Sequence, residues 1–145
     1  MKKIVLIACV KSKRTMPSKA IDLYTSSLFK KSLEYAQLLN PNQIYILSAK
    51  YGLVSSEEII EPYDLTLNNM SSHEIKDWSK RVLCQLSSVT DLVNDSFIIL
   101  AGQNYRKYLL PNISHYELPL EGLAFGYQLQ RLDKLIKERK RGKLF

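Results

Sequence analysis

Cysteine is scarce in this chain: Cys9 and Cys84 stand far apart, without CxxC or metal-knuckle spacing. That excludes a disulfide scaffold and a clustered thiolate site. Long apolar runs are missing too. No window approaches the ~18 apolar residues of a membrane span, and the run from Ile4 to Val10 is too short for a signal-peptide core. With five glycines and five prolines, low-complexity and collagen-like readings fall away. What remains is 145 residues, 46% hydrophobic and 24% charged, the profile of one globular domain with its own core. The expectation is a single reduced, soluble, cytoplasmic domain over residues 1–145, with no membrane contact.

Acid is absent from the first 21 residues, which carry six basic ones: Lys2, Lys3, Lys11, Lys13, Arg14 and Lys19. Between Asp22 and Gln130, twelve acids outweigh eight bases. The last stretch is basic again: Arg131, Lys134, Lys137, Arg139, Lys140, Arg141 and Lys143 face only Asp133 and Glu138. The formal net charge of +7 is therefore polarised, a pattern that concentrates phosphates and polyanions near the chain. For the C-terminal cluster the alternative is a solvated helix end.

Three near-continuous apolar runs, Ile4–Ala8, Ile44–Leu47 and Phe97–Ala101, read as strands buried on both faces; His115–Leu118 reads as a weaker fourth. Helical spacing fills the gaps. Leu28, Phe29, Leu33, Ala36 and Leu39 share one helix between Ser27 and Leu39. Ser71-x-x-Glu74 is a capping-box signature ahead of Ile75, Trp78, Val82, Leu86 and Val89. Tyr105–Leu110 predicts a short helix stopped by Pro111, and Tyr127–Lys140 turns Leu129, Leu132, Leu135 and Ile136 inward. The alternation predicts an α/β fold: a single-domain three-layer α/β/α sandwich around a four-stranded, mainly parallel sheet in the order 2-1-3-4. The stretch from Ala49 to Met70 is too long for an ordinary loop and is expected to be functional or to hold short elements of its own.

In such a sheet, ligands bind beyond the carboxyl ends of the strands, where the connections diverge. That rule gathers Lys11, Ser12, Lys13 and Arg14 after the first strand with Lys50, Tyr51 and Gly52 after the second. Gly102 and Tyr105 follow the third strand, and Gly122, Gly126 and Gln128 the fourth. Lys11, Ser12 and Lys13, with backbone donors, are the candidate phosphate ligands; the alternative is a surface loop with incidental lysines. Neither GxxxxGK[ST] nor GxGxxG is present, which removes the main support for a nucleoside triphosphatase or a dinucleotide oxidoreductase, and no cofactor is expected. The glycines mark close backbone approach or simple packing.

Glu61-Pro62-Tyr63-Asp64 is the most suggestive run. Pro62 holds Glu61 extended, and a carboxylate beside an aromatic suits stacking a base and stabilising a cationic sugar. Asp64 and Glu61 are the candidate catalytic groups, the alternative being a packed tyrosine with a solvated turn. Asp22 and Tyr24 are further candidates for the crevice, with Thr25 or Ser26 capping the next helix. His73 and His115 fall on different sides of the predicted sheet, so no Ser-His or Cys-His pair forms, and no ligand set for a metal is visible. Cys9 reads as a buried strand-end thiol and Cys84 as core.

Six motifs in one order, Cys9-x-x-Ser12-Lys13, Asp22-Leu23-Tyr24-Thr25-Ser26-x-Leu28-Phe29, Leu47-Ser48-Ala49-Lys50-Tyr51-Gly52-Leu53, Pro62-Tyr63-Asp64-x-x-Leu67, Ala101-Gly102-x-x-Tyr105 and Gly122-x-x-x-Gly126-x-Gln128, resemble a bacterial and phage family described only as a domain of unknown function. A fainter similarity is to the peroxide-stress YaaA family, through the first-strand loop, Tyr51-Gly52-Leu53 and Pro62-Tyr63. That resemblance implies DNA binding and protection against oxidative damage. The chain is shorter and carries Asp64 where that pattern has a basic residue. The Cys-Ser-Lys opening also looks like uracil-DNA-glycosylase-type domains attached to tRNA-modifying enzymes.

Two functions follow from the residues, with a plain anion-binding or interaction domain as a third. The first is an enzyme acting on a nucleotide or nucleic acid, most concretely by N-glycosidic cleavage or base exchange. Tyr51 or Tyr63 would stack the base, and Asp64 or Glu61 would serve the sugar. The second is a non-catalytic nucleic-acid-binding protein, tracking phosphates with Arg14 and with Arg131, Lys134, Lys137, Arg139, Lys140 and Arg141.

Overall fold

The alternate side chains of one strand feed two separate cores. A computed structural model describes residues 1–8 and 15–142. Its first half contains β1 (Lys3–Ala8), β2 (Ser18–Lys19), α1 (Ala20–Leu23), α2 (Ser27–Leu38), β3 (Gln43–Ser48), β4 (Gly52–Ser55) and β5 (Ile59–Ile60). Its second half contains α3 (Ser72–Val89), β6 (Ser96–Leu100), α4 (Gln103–Arg106), β7 (His115–Glu117) and α5 (Phe125–Gly142). Val5 and Ile7 of β1 join Ile46, Ile98 and Leu100 against Phe29 and Ala36 of α2 and Leu132 of α5. Ile4 and Leu6 join Leu47, Phe97 and Ile99 against Ile75, Trp78, Val82 and Leu86 of α3. The period of two was invisible as polarity because both faces are covered.

The main sheet runs β4-β3-β1-β6-β7. β1 pairs in parallel with β3 and β6, and β6 in parallel with β7. The expected four-stranded sheet is therefore corrected to a five-stranded mixed one: β4 adds an antiparallel edge to β3, with Ser48 opposite Gly52. Its four residues follow a tight turn and carry too short a pattern to separate from a loop. The remaining stretch to Met70 holds β5, paired antiparallel with β2, and a 3-10 turn at Leu67–Asn69 that Thr66 caps.

Local chemistry sets the helix ends. The Phe29 amide donates to Ser26 Oγ at 3.2 Å, opening α2. Asn40 stops it in the left-handed region at φ 48°, ahead of Pro41. Ser71 and Glu74 form the capping box of α3, each side chain accepting from the other's backbone amide. Those bonds hold the Glu74 carboxyl below its ordinary value. Cys84, expected in the core, is exposed. At about 100° per residue it lies roughly 200° round α3 from the buried Val82. Val89, also expected on the inward face, is exposed in the last turn of α3.

The amino end of the sheet is closed by side chains taking backbone amides. Asp95, buried, accepts from the Lys2 amide and the Asp91 amide, both at 2.8 Å. Asn42 Oδ1 accepts from the Lys3 amide at 2.8 Å, and Lys3 Nζ donates to the Leu39 carbonyl at 3.4 Å. The end of α2 thus sits at the start of β1. Twelve helical residues span about the length of a six-residue strand, so α2 begins at the carboxyl end. α5 runs parallel to α2, since Lys31 bonds Asp133 and Lys140 Nζ lies 3.8 Å from the Glu34 carboxylate.

Candidate functional site

The turn after β3 is gripped from one side by α3. The Trp78 indole donates to the Ser48 carbonyl at 2.9 Å, and the Arg81 guanidinium donates to the Lys50 carbonyl at 2.9 Å. Gln85 donates to the Tyr51 carbonyl at 3.4 Å, while its side-chain carbonyl accepts from the Leu53 amide at 2.8 Å. Ser48 Oγ takes the Tyr51 amide at 3.0 Å. Gly52 answers to the same clamp: its φ is +76°, and a Cβ there would run into the Gln85 side chain. Backbone atoms are used throughout, which leaves the Lys50 and Tyr51 side chains for other contacts.

Those side chains begin a row that descends from solvent into the core. Lys50 Nζ lies 5.2 Å from the Tyr51 ring centroid. Tyr51 meets Tyr63 edge-on at 5.8 Å, and Tyr63 meets Tyr24 edge-on at 6.5 Å with their hydroxyls hydrogen-bonded at 2.6 Å. Tyr24 is buried against Phe29 at 5.1 Å. Tyr63 also packs against both cores, which a ring does only at the rim of the sheet. Four sequence candidates, Tyr24, Lys50, Tyr51 and Tyr63, are therefore brought together at the carboxyl ends of the strands.

The segment from Glu61 to Met70 lies across that rim and is tied at several points. The Tyr51 hydroxyl donates to the Glu61 carbonyl at 3.5 Å, a long bond. The Leu67 amide donates to the Tyr105 hydroxyl at 3.3 Å, and Tyr105 stacks edge-on with Trp78 at 5.5 Å. Asn104 donates to Asn68 at 2.9 Å. Tyr105 is thus a buried anchor of the segment. The Glu61 and Asp64 side chains are exposed, on either side of Pro62-Tyr63. Beside Lys50 opens a depression of about 440 Å³, floored by Leu65, Met70 and Trp78. Arg81 and Lys50 supply its cations, Glu74 and Asp77 its acids.

The other candidates are dispersed. Asp22 is exposed near Lys19, which its ion pair with Glu57 at 2.9 Å holds above the ordinary lysine value. Gly122 adopts φ +76° in an exposed turn. Among the described residues, a Cβ at Gly102 or Gly126 meets nothing within 4 Å. Gln128 donates to the Leu123 carbonyl at 2.8 Å, bracing the start of α5. Arg131, Lys134, Lys137, Arg139, Lys140 and Arg141 lie along α5, and the last three reach the amino end of the sheet, opposite the rim. Lys11, Ser12, Lys13, Arg14 and Cys9 lie outside the described residues.

The clamp residues Trp78, Arg81 and Gln85 were not singled out as site residues from the sequence. Their i, i+3, i+7 spacing on one helical stripe is the signal that points to them. His73 is exposed and 3.3 Å from Asp77. Among the described residues, no group of three His, Cys, Asp or Glu is placed to hold a metal ion, and no helix is long and apolar enough to cross a membrane.

The model of a family of unknown function, DUF6884, matches residues 4–134. The chain belongs to this family. No curated protein and no solved structure matches it. In this DUF6884 chain the matched span holds the whole tyrosine row and the α3 clamp, and it stops within α5, ahead of Lys137 and Arg141.

Proposed function

We propose that this DUF6884 chain binds a nucleotide or nucleic-acid base at the tyrosine rim and acts on its N-glycosidic bond, by hydrolysis or base exchange. The observation that carries the reading is the row Lys50–Tyr51–Tyr63–Tyr24 at the carboxyl ends of the strands, with the Glu61 and Asp64 carboxylates flanking Tyr63 in the chain. A planar base stacks on the half-buried Tyr51 and Tyr63 rings. Lys50 takes a neighbouring phosphate, joined by Lys11, Ser12 and Lys13, the residues that follow β1 in the sequence. As the C1′–N bond breaks, its electron pair leaves with the base, which takes a proton from bulk water. Asp64, or Glu61, stabilises the oxocarbenium-like sugar and receives the proton of the water that adds at C1′. In base exchange an incoming base adds there instead.

The proposed compartment is the cytoplasm, where two separated cysteines stay reduced. The motif resemblance to the YaaA family adds a nucleic-acid context. A second reading, binding without turnover, is favoured by the exposed cations of α5.

Base release from nucleosides, nucleotides and oligonucleotides, followed chromatographically, tests the enzyme. Asp64→Asn is expected to cut turnover by a hundredfold or more, on the scale of removing one electrostatic stabiliser, while ligand affinity and melting temperature hold. Turnover unaffected by both Asp64→Asn and Glu61→Gln rejects the mechanism. A nucleotide-soaked structure with the ligand away from Tyr51 and Tyr63 rejects the site.

A further inference from the structure

We infer that the ligand of this protein is a single-stranded polynucleotide, which runs from the tyrosine rim onto the outer face of α5. The inference rests on the base-binding reading above and narrows its substrate class. Tyr127, in the first turn of α5, is 64% exposed although it is a large aromatic residue. Lys134, Lys137 and Arg141 follow it at spacings of seven, three and four residues, which places all four on one stripe of the helix. Leu132 and Ile136 occupy the opposite, buried face. Arg131 is exposed beside the stripe. From Tyr127 to Arg141 the stripe is about 21 Å long at helical rise.

The arrangement serves the helix only in part, through Glu138 at i, i+4 from Lys134 and three residues before Arg141. Cations in a last helical turn gain from the macrodipole, which accounts for charge at Arg139, Lys140 and Arg141. Lys134 lies in the middle turns, where that gain has faded. Like charges at Lys134–Lys137 and Lys137–Arg141 repel across i, i+3 and i, i+4 spacings. Lys140 Nζ lies 3.8 Å from the Glu34 carboxylate, so it turns toward α2. Asp133 is engaged by Lys31. Among the described residues, Arg131, Lys134, Lys137 and Arg141 form no ion pair. A shallow groove of about 440 Å³ runs between Lys134, Lys137 and Arg141, bordered by Gln130, Asp133 and Glu138.

A line of cations that outnumbers the one acid on its stripe, Glu138, and is headed by an exposed aromatic ring is the chemistry of a strand whose phosphates are tracked and whose bases are free to stack. A duplex hides its base faces and leaves Tyr127 without a role. Direction supports continuity: α5 runs parallel to α2, so its Tyr127 end lies at the carboxyl end of the sheet, with the tyrosine row.

The test compares fluorescein-labelled oligo-dT and oligo-U, the same lengths as duplex, and the mononucleotides dTMP and UMP. Each is titrated with the full chain between about 50 and 200 mM salt. The single strands are expected to bind at least tenfold more tightly than the mononucleotides, with steep salt dependence. Lys134→Glu/Lys137→Glu/Arg141→Glu should cost tenfold or more at low salt and reduce the log–log salt slope by about 2, at ~0.7 per single-strand phosphate. Its mononucleotide affinity and circular dichroism should match the wild type, and the glutamine triple variant repeats the comparison without charge reversal. Tyr127→Ala should weaken the oligonucleotide about fivefold or more at an unchanged slope.

The inference is overturned if single strands bind no better than mononucleotides, if the triple variants keep the wild-type slope, or if duplex binds more tightly. If mononucleotides fail to bind while the triple variants still abolish oligonucleotide binding, the rim reading falls and the α5 track stands.

Discussion

The two ends of the sheet are finished in different ways. At the amino end, Asp95 and Asn42 take three backbone amides at 2.8 Å, two by a buried carboxylate and one by a side-chain amide. At the carboxyl end, edge-on aromatic contacts and half-buried rings take over, with Lys50, Glu61 and Asp64 exposed around them. Saturated hydrogen bonds fix the strand starts. One end is built to hold the strands; the other is where we propose that a ligand is met.

Trp78→Ala should give the largest effect. Trp78 is buried and its indole carries the Ser48 carbonyl, so the variant loses both packing and the turn clamp. Urea unfolding is expected to show a loss of about 3–5 kcal/mol, with ligand affinity falling too. A stable variant with full affinity would mean that the rim does not depend on α3.

Asp95→Asn addresses the opposite end and should act on stability alone. Hydrogen bonds from the Asp91 and Lys2 amides hold the Asp95 carboxyl below its ordinary 3.8. A carboxyl depressed by folding contributes stability that is complete above about 3.8 and fades as pH drops through its lower folded value. The wild type should therefore lose melting temperature in that acid window. The variant should start lower at neutral pH and lose less on acidification, with nucleotide affinity unchanged. Equal acid slopes in both proteins would remove Asp95 from the account.

Gly102→Ala should give the smallest effect. A Cβ there meets nothing within 4 Å among the described residues, so the melting temperature should stay put, within ~0.5 kcal/mol. A fall in ligand affinity at constant stability would reveal close backbone approach by the ligand; no change would leave Gly102 a bystander.

The strands and long helices were legible because burial on two faces writes continuous apolar runs, and capping writes Ser71-x-x-Glu74. β4 was not, because Gly52–Ser55 becomes a strand only through pairing with β3. Cys84 was misplaced by treating an apolar helix position as core without following the turn of the helix. Tyr24, Tyr51 and Tyr63 were each legible as candidates in separate motifs, but their stacking order depends on where the Glu61–Met70 segment crosses the rim. The α3 clamp was illegible for a related reason: its partners are three main-chain carbonyls and one main-chain amide, groups that nearly every residue has.

That last feature carries a consequence for diversification. A helix that recognises only main-chain atoms is indifferent to what the gripped residues display. New side chains at positions 50 and 51 can therefore be tried on a mounting that does not move, and ligand preference can drift without the chain having to relearn how to fold.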